Sequence, residues 1–137
     1  VQDNHSVSKA GVLRGIHYQM DPMAQGKLVR VISGEVFDVA VDLRRESKFF
    51  GQYVSVILSA DNRKQIWIPD GFGHAFLTLS DRAEVIYKTT NYYSSGHEVC
   101  IKWDDADLAI EWPQLSQEIV LSEKDAQGLS LGQAELF

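Results

Sequence analysis

Val36-Phe37-Asp38-Val39-Ala40-Val41-Asp42-Leu43 alternates with a period of two. Phe37, Val39, Val41 and Leu43 fall on one side of an extended chain, and Asp38, Ala40 and Asp42 on the other. The stretch therefore reads as a β-strand. Its aspartates either face water or point into a polar interior, where they hold His or Lys side chains. Upstream, Ser33-Gly34-Glu35 is a turn signal, and Lys27 to Ile32 is a second strand. Gln52 to Leu58 alternates as well, and Gly11 to Tyr18 does so loosely. Further strands are expected at Lys64–Ile68, His74–Leu79, Glu84–Thr89 and Cys100–Trp103, with turn-rich pieces between them. Many short strands at fairly regular spacing indicate an all-β sandwich or barrel. The tail departs from this pattern: Ser122 and Asp125 form a Ser-x-x-Asp signal that caps one short helix. Trp67, Trp103 and Trp112 are expected mostly in the core or at an interface.

The 137 residues suit a single domain over positions 1–137, with no linker, repeat or low-complexity tract. Hydrophobic residues make up 45% and charged residues 23%, as in an ordinary globular protein. No apolar run is long enough to span a bilayer, and no signal segment follows Val1. Cys100 is the single cysteine, which fits a reducing compartment. A cytoplasmic protein without a membrane partner is expected. The net charge of -6 argues against non-specific nucleic-acid binding. An anionic ligand would need local cations.

Two stretches resemble the paired motifs of the cupin superfamily. Pro69-Asp70-Gly71-Phe72-Gly73-His74 matches Pro-x-Gly-x-x-His, whose histidine is a metal ligand in metal cupins. The other motif usually runs His-x-His, then Glu, six residues and Gly. Here His17 is followed by Tyr18 and Gln19, and Lys27 stands in the glutamate's place, with six residues between it and Gly34. An ammonium is not a ligand and repels a divalent cation. Two histidines alone make no convincing metal site, so no catalytic metal is expected. A pocket with two histidines and a lysine suits proton transfer beside a carbonyl.

Gly11 to Gln19, Gln25 to Val31, Gly34 to Asp42, Ile68 to Phe76, Tyr87 to Thr90 and Leu121 to Asp125 together resemble the dTDP-4-dehydrorhamnose 3,5-epimerase family. The resemblance runs in consistent order along nearly the whole chain. It implies an antiparallel cupin-type jelly-roll barrel with a short C-terminal helical tail, acting as a homodimer without cofactor. The implied substrate is a dTDP-linked 4-keto-6-deoxy sugar, epimerised at C3 and C5 through a C4 enolate. By resemblance His17 is the base, oriented by Asp125. Lys27 stabilises the oxyanion, and Tyr87 is the acid on the opposite face. Arg14 contacts the diphosphate, His74 the sugar, and Gln2, Asp3 and Asn4 the nucleotide; Glu98 and Lys124 match further binding positions. Family members carry some tens of residues ahead of the segment that begins here at Val1. Those residues supply strands exchanged between subunits and an Arg-Gly-Phe-Phe-Glu stretch at the nucleotide.

Taken one at a time, these residues have duller readings. An isolated histidine is usually structural, Lys27 fits a solvated strand edge, Tyr87 fits a core cap, and Asp125 fits a helix first turn. Arg14 and His17 are three apart, so a regular strand would set them on opposite faces unless Gly15 hosts a bulge. Two other functions stay open. One is an epimerase acting at C3 or C5 alone. The other is a non-catalytic sugar-nucleotide-binding cupin, inactive without the N-terminal segment. A metal-dependent cupin oxygenase is a weaker third.

Overall fold

A computed structural model describes residues 1–137. It holds nine strands: β1 Gln2–Lys9, β2 Leu13–Gln19, β3 Lys27–Ser33, β4 Glu35–Asp42, β5 Tyr53–Ser59, β6 Gln65–Ile68, β7 Phe72–Thr78, β8 Arg82–Thr89 and β9 Glu98–Cys100. One short helix follows, α1 Glu123–Ala126. The strands form a four-stranded sheet in the order β1-β8-β3-β6 and a five-stranded sheet in the order β5-β4-β7-β2-β9. Every pairing between named strands is antiparallel. No helix is long and apolar enough to cross a membrane.

Val29, Val31, Val36, Ala40, Leu58, Ile68, Phe76, Ala83 and Val85 form one buried cluster, drawn from strands of both sheets. A second cluster joins Ile16, Val39, Val41, Leu43 and Ala75 to Leu108, Leu131, Ala134 and Leu136 of the tail. The tail thus covers the other face of the five-stranded sheet. Each fully buried aliphatic side chain stabilises by roughly 1.5–3 kcal/mol, so the tail is fastened as firmly as a strand. This explains β4. Its alternation is real, but both faces are buried: Val39 and Val41 meet the tail, while Val36, Asp38 and Ala40 lie on the side of the first cluster.

The sequence reading did not foresee β1, whose residues Gln2-Asp3-Asn4-His5-Ser6-Val7-Ser8-Lys9 are almost all polar. It is an edge strand held by β8, with alternate residues exposed, so it carries little hydrophobic signal. The last strand lies slightly earlier than expected, at Glu98–Cys100. Trp103 and Trp112 pack edge-on at 6.4 Å between centroids, but Trp67 is 55% exposed. Ser122 caps α1 as expected, its hydroxyl accepting the Asp125 N–H at 3.1 Å.

The β2–β7 register shifts between Arg14 and His17. Gly15 sits in this irregularity at φ +113°, and a Cβ there would lie 2.4 Å from the His74 carbonyl oxygen. Only glycine fits both demands. We predict that Gly15→Ala lowers the unfolding free energy by roughly 2–4 kcal/mol, as read by thermal or urea denaturation.

Candidate active site

Strand alternation and register deliver the polar residues to the space between the sheets. On the four-stranded sheet, Lys27, Val29 and Val31 of β3 point inward, and Val29 lies opposite Tyr87 of β8. Lys27 and Tyr87 are therefore diagonal neighbours on one inner face, with the ammonium 5.9 Å from the ring centroid. Asn4 of β1 lies beside Tyr87 in register. On the five-stranded sheet, His17 and His74 are direct cross-strand partners. The irregularity at Gly15 lets Arg14 and His17 line the same cavity, which a regular strand would forbid.

Two adjoining hollows of about 90 and 250 Å³ share His17, Lys27, Tyr87, Tyr93 and Glu98. Gln2 and Asn4 line the smaller; Arg14, His74 and Lys124 line the larger. Asp125 stands behind His17. Asp3 is the site residue that this arrangement leaves out. It alternates with Gln2 and Asn4 along β1, faces the other way, and pairs with the exposed Lys88 at 2.9 Å.

His17 Nε2 meets Asp125 Oδ1 at 2.5 Å. Asp125 is 3% exposed, and its other oxygen accepts the Gly15 N–H at 3.3 Å. Burial pushes its carboxyl up, but the bond and charge of His17 outweigh burial and hold it below the usual range. An ionised carboxylate only accepts, so the proton of a neutral His17 sits on Nε2. That leaves the Nδ1 lone pair free to accept a proton. His74 is held likewise, with Nε2 2.9 Å from Asp38 Oδ2. Asp38 is fully buried, and its Oδ1 has no partner. Asp38 was one of two readings from the strand pattern; here it points inward and holds a histidine.

Lys27 is 8% exposed. Burial lowers its pKa to about 8, against the weaker opposing pull of Glu98 and Asp38. Neither carboxylate forms a hydrogen bond with it, so the ammonium is available to a ligand. Burial raises the Tyr87 hydroxyl more than Arg14 lowers it, so Tyr87 keeps its proton. Glu98 forms an ion pair with Lys124 and accepts from the Tyr93 hydroxyl at 2.8 Å. Tyr93 in turn donates its backbone N–H to Gln2 Oε1 at 3.0 Å. The sequence reading missed Tyr93, which lies in a turn-rich stretch beside the similar Tyr92. Cys100, the single cysteine, carries no site signal in the sequence. It lies opposite His17 in register, with Sγ 3.8 Å from Asp125 Oδ1. Burial and Asp125 push its thiol up to about 12.

A profile of the dTDP-4-dehydrorhamnose 3,5-epimerase family matches residues 1–133. The chain belongs to the dTDP-4-dehydrorhamnose 3,5-epimerase family. A relative of that name from Shigella flexneri is 56% identical over 137 residues, covering 100% of this chain and 75% of its own. An epimerase structure from Legionella pneumophila, in complex with dTDP-4-keto-L-rhamnose, superposes with a TM-score of 0.95 at 52% identity. That match covers 98% of this chain and 71% of the Legionella chain. A 3'-monoepimerase from Streptomyces bikiniensis superposes at 0.90 with 36% identity, covering 96% and 66% respectively. The all-β jelly roll and the isomerase class are thereby both established.

The Lys27 charge has a measurable cost. Below pH about 8, folded and unfolded chains both hold the proton, and the burial penalty is fully present; between about 8 and 10.5 the folded chain releases it first and stability rises. Lys27→Met is therefore predicted to stabilise the fold at neutral pH by roughly 1–3 kcal/mol while removing activity. Calorimetry beside a turnover assay checks both halves. Asp125→Asn should leave the fold intact and lower kcat by roughly 10²–10⁴-fold, because the dyad loses its carboxylate.

Proposed function

We propose that this chain epimerises a dTDP-linked 4-keto-6-deoxy sugar at C3 and C5, converting dTDP-4-dehydro-6-deoxy-D-glucose to dTDP-4-dehydro-L-rhamnose. One observation carries the reading. A carboxylate-held histidine on one sheet faces a buried, unpaired ammonium and a protonated tyrosine on the other. A sugar ring lying between the sheets would meet a base on one face and an acid on the other.

Both carbons flank the C4 ketone, so one carbonyl acidifies both hydrogens. His17 Nδ1 takes the proton, and the C–H electron pair moves into the ring to leave an oxyanion at C4. The Lys27 ammonium stabilises that charge in a water-poor site. Tyr87 then gives its proton to the carbon from the opposite face, which inverts it. The imidazolium then loses its extra proton to solvent and the phenolate regains one from solvent, which resets both groups before the second carbon reacts. The sequence moves protons only, with no net redox change. Positioned acid–base groups supply roughly 10²–10⁴-fold, and the oxyanion site a similar factor.

In this reading Arg14 binds the diphosphate by its fork of donors, and His74 the sugar. Gln2 and Asn4 of β1, with Glu98 and Lys124, hold the rest of the nucleotide sugar. The protein is cytoplasmic and homodimeric; the outer edge of β1, which no strand of this chain covers, is open to a second copy.

Turnover in heavy water tests the proposal. Deuterium should appear at both C3 and C5, and His17→Ala should abolish it. Label at one carbon alone would reduce the enzyme to a single-position epimerase, and label at neither would reject catalysis.

A further inference from the structure

Three metal-ligating side chains meet behind the cavity. A ring nitrogen of His17, Cys100 Sγ and an oxygen of Asp125 lie within 4.8 Å of one another. They come from β2, β9 and α1, brought together by the His17–Cys100 register and by the short contact between His17 and Asp125. The proposed chemistry uses His17 and Asp125 but gives Cys100 no task.

We propose that His17, Cys100 and Asp125 bind a borderline-soft divalent cation of the zinc or cadmium class, and that occupancy switches off proton transfer. The inhibitory half rests on the epimerase reading; the binding half does not. A thiolate, a carboxylate and a neutral imidazole carry two negative charges, which balance such an ion. Three protein ligands with a fourth position open to water are the usual form of an accessible zinc site. His17 is 27% exposed and Cys100 is only partly buried, so two of the three ligands are not sealed from solvent.

The geometry is close to what a tetrahedral ion needs. Zinc bond lengths place ligand atoms roughly 3.3–3.6 Å apart. The nitrogen–oxygen separation must open from 2.5 Å, the sulfur–oxygen separation must close slightly from 3.8 Å, and the nitrogen–sulfur separation, which lies within 4.8 Å, must come into the same range. This set differs from the cupin ligand frame, with which it shares only His17.

Coordination would silence the base directly. His17 Nε2 faces Asp125, so it is the nitrogen that reaches the ion. Bonds form from the metal to nitrogen, sulfur and oxygen, and the His17–Asp125 hydrogen bond breaks. The thiol proton leaves to solvent. The imidazole proton moves by solvent from Nε2 to Nδ1, the atom that must accept the substrate proton. A neutral ring carries one proton, so the ion and the base function exclude each other.

The test titrates the full chain with zinc alone by calorimetry, and with cadmium alone by ultraviolet absorption. One ion per chain is expected, with a thiolate-to-cadmium charge-transfer band. Cys100→Ala and Cys100→Ser should each lose that band and weaken zinc binding by about 10–100-fold or more. Both should keep wild-type turnover without metal, and resist inhibition by zinc. Equal zinc affinity in wild type and both variants, or no charge-transfer band in the wild type, overturns the site. Binding with the band but undiminished turnover overturns the inhibition alone. An inactive wild-type chain would count against the epimerase reading and leave the two binding measurements decisive for the site.

Discussion

A buried ammonium without a contacting anion is the constraint around which the site is arranged. Lys27 opens β3 and points between the sheets, 8% exposed. Its charge is disfavoured there, and only the more distant Glu98 and Asp38 oppose the penalty. A fold optimised for stability alone would not keep it. The two buried clusters tolerate the cost, and the result is a cation held at the cavity wall, which the proposed reaction uses against the developing negative charge. The same charge distinguishes this site from a metal cupin, in which a carboxylate would stand at that position.

The orientation of His17 depends on the far end of the chain. His17 and Asp125 are 108 positions apart, yet they share a 2.5 Å contact. Asp125 reaches it because Ser122 caps α1 and the tail is packed on the five-stranded sheet through Leu108, Leu131 and Leu136. Gly15 completes the link. Its positive φ admits the irregularity in β2, and its N–H donates to Asp125. Packing of the tail and protonation of the histidine are thus one problem: loosening the tail withdraws the carboxylate that fixes which nitrogen carries the proton.

Much of this was legible in the sequence. The alternation of Val36 to Leu43 and its neighbours showed an all-β chain because hydrophobic burial imposes a period of two. Lys27 stood out because it occupies the place where a metal cupin has a ligand glutamate. The motif order identified the family. Other features lacked a local signal. The edge strand β1 buries little and is almost wholly polar, so periodicity could not find it. The burial of both β4 faces depended on the tail folding back, a long-range event invisible in an eight-residue window. The resemblance groups Asp3 with Gln2 and Asn4 at the nucleotide, whereas strand alternation turns it to the opposite side. Tyr93 enters the site through Glu98, and Cys100 comes to lie behind it against Asp125, through tertiary contacts that spacing does not encode.

The central claim is that Lys27 is a buried, titratable cation whose charge the reaction needs. Heteronuclear NMR of the lysine Nζ groups, with Lys27→Met for assignment, measures this in the intact chain. The account predicts a Lys27 signal titrating near pH about 8, with kcat/KM falling as the pH rises through the same value. A Lys27 that titrates at the ordinary 10.5, with kcat/KM flat across that range, would contradict it.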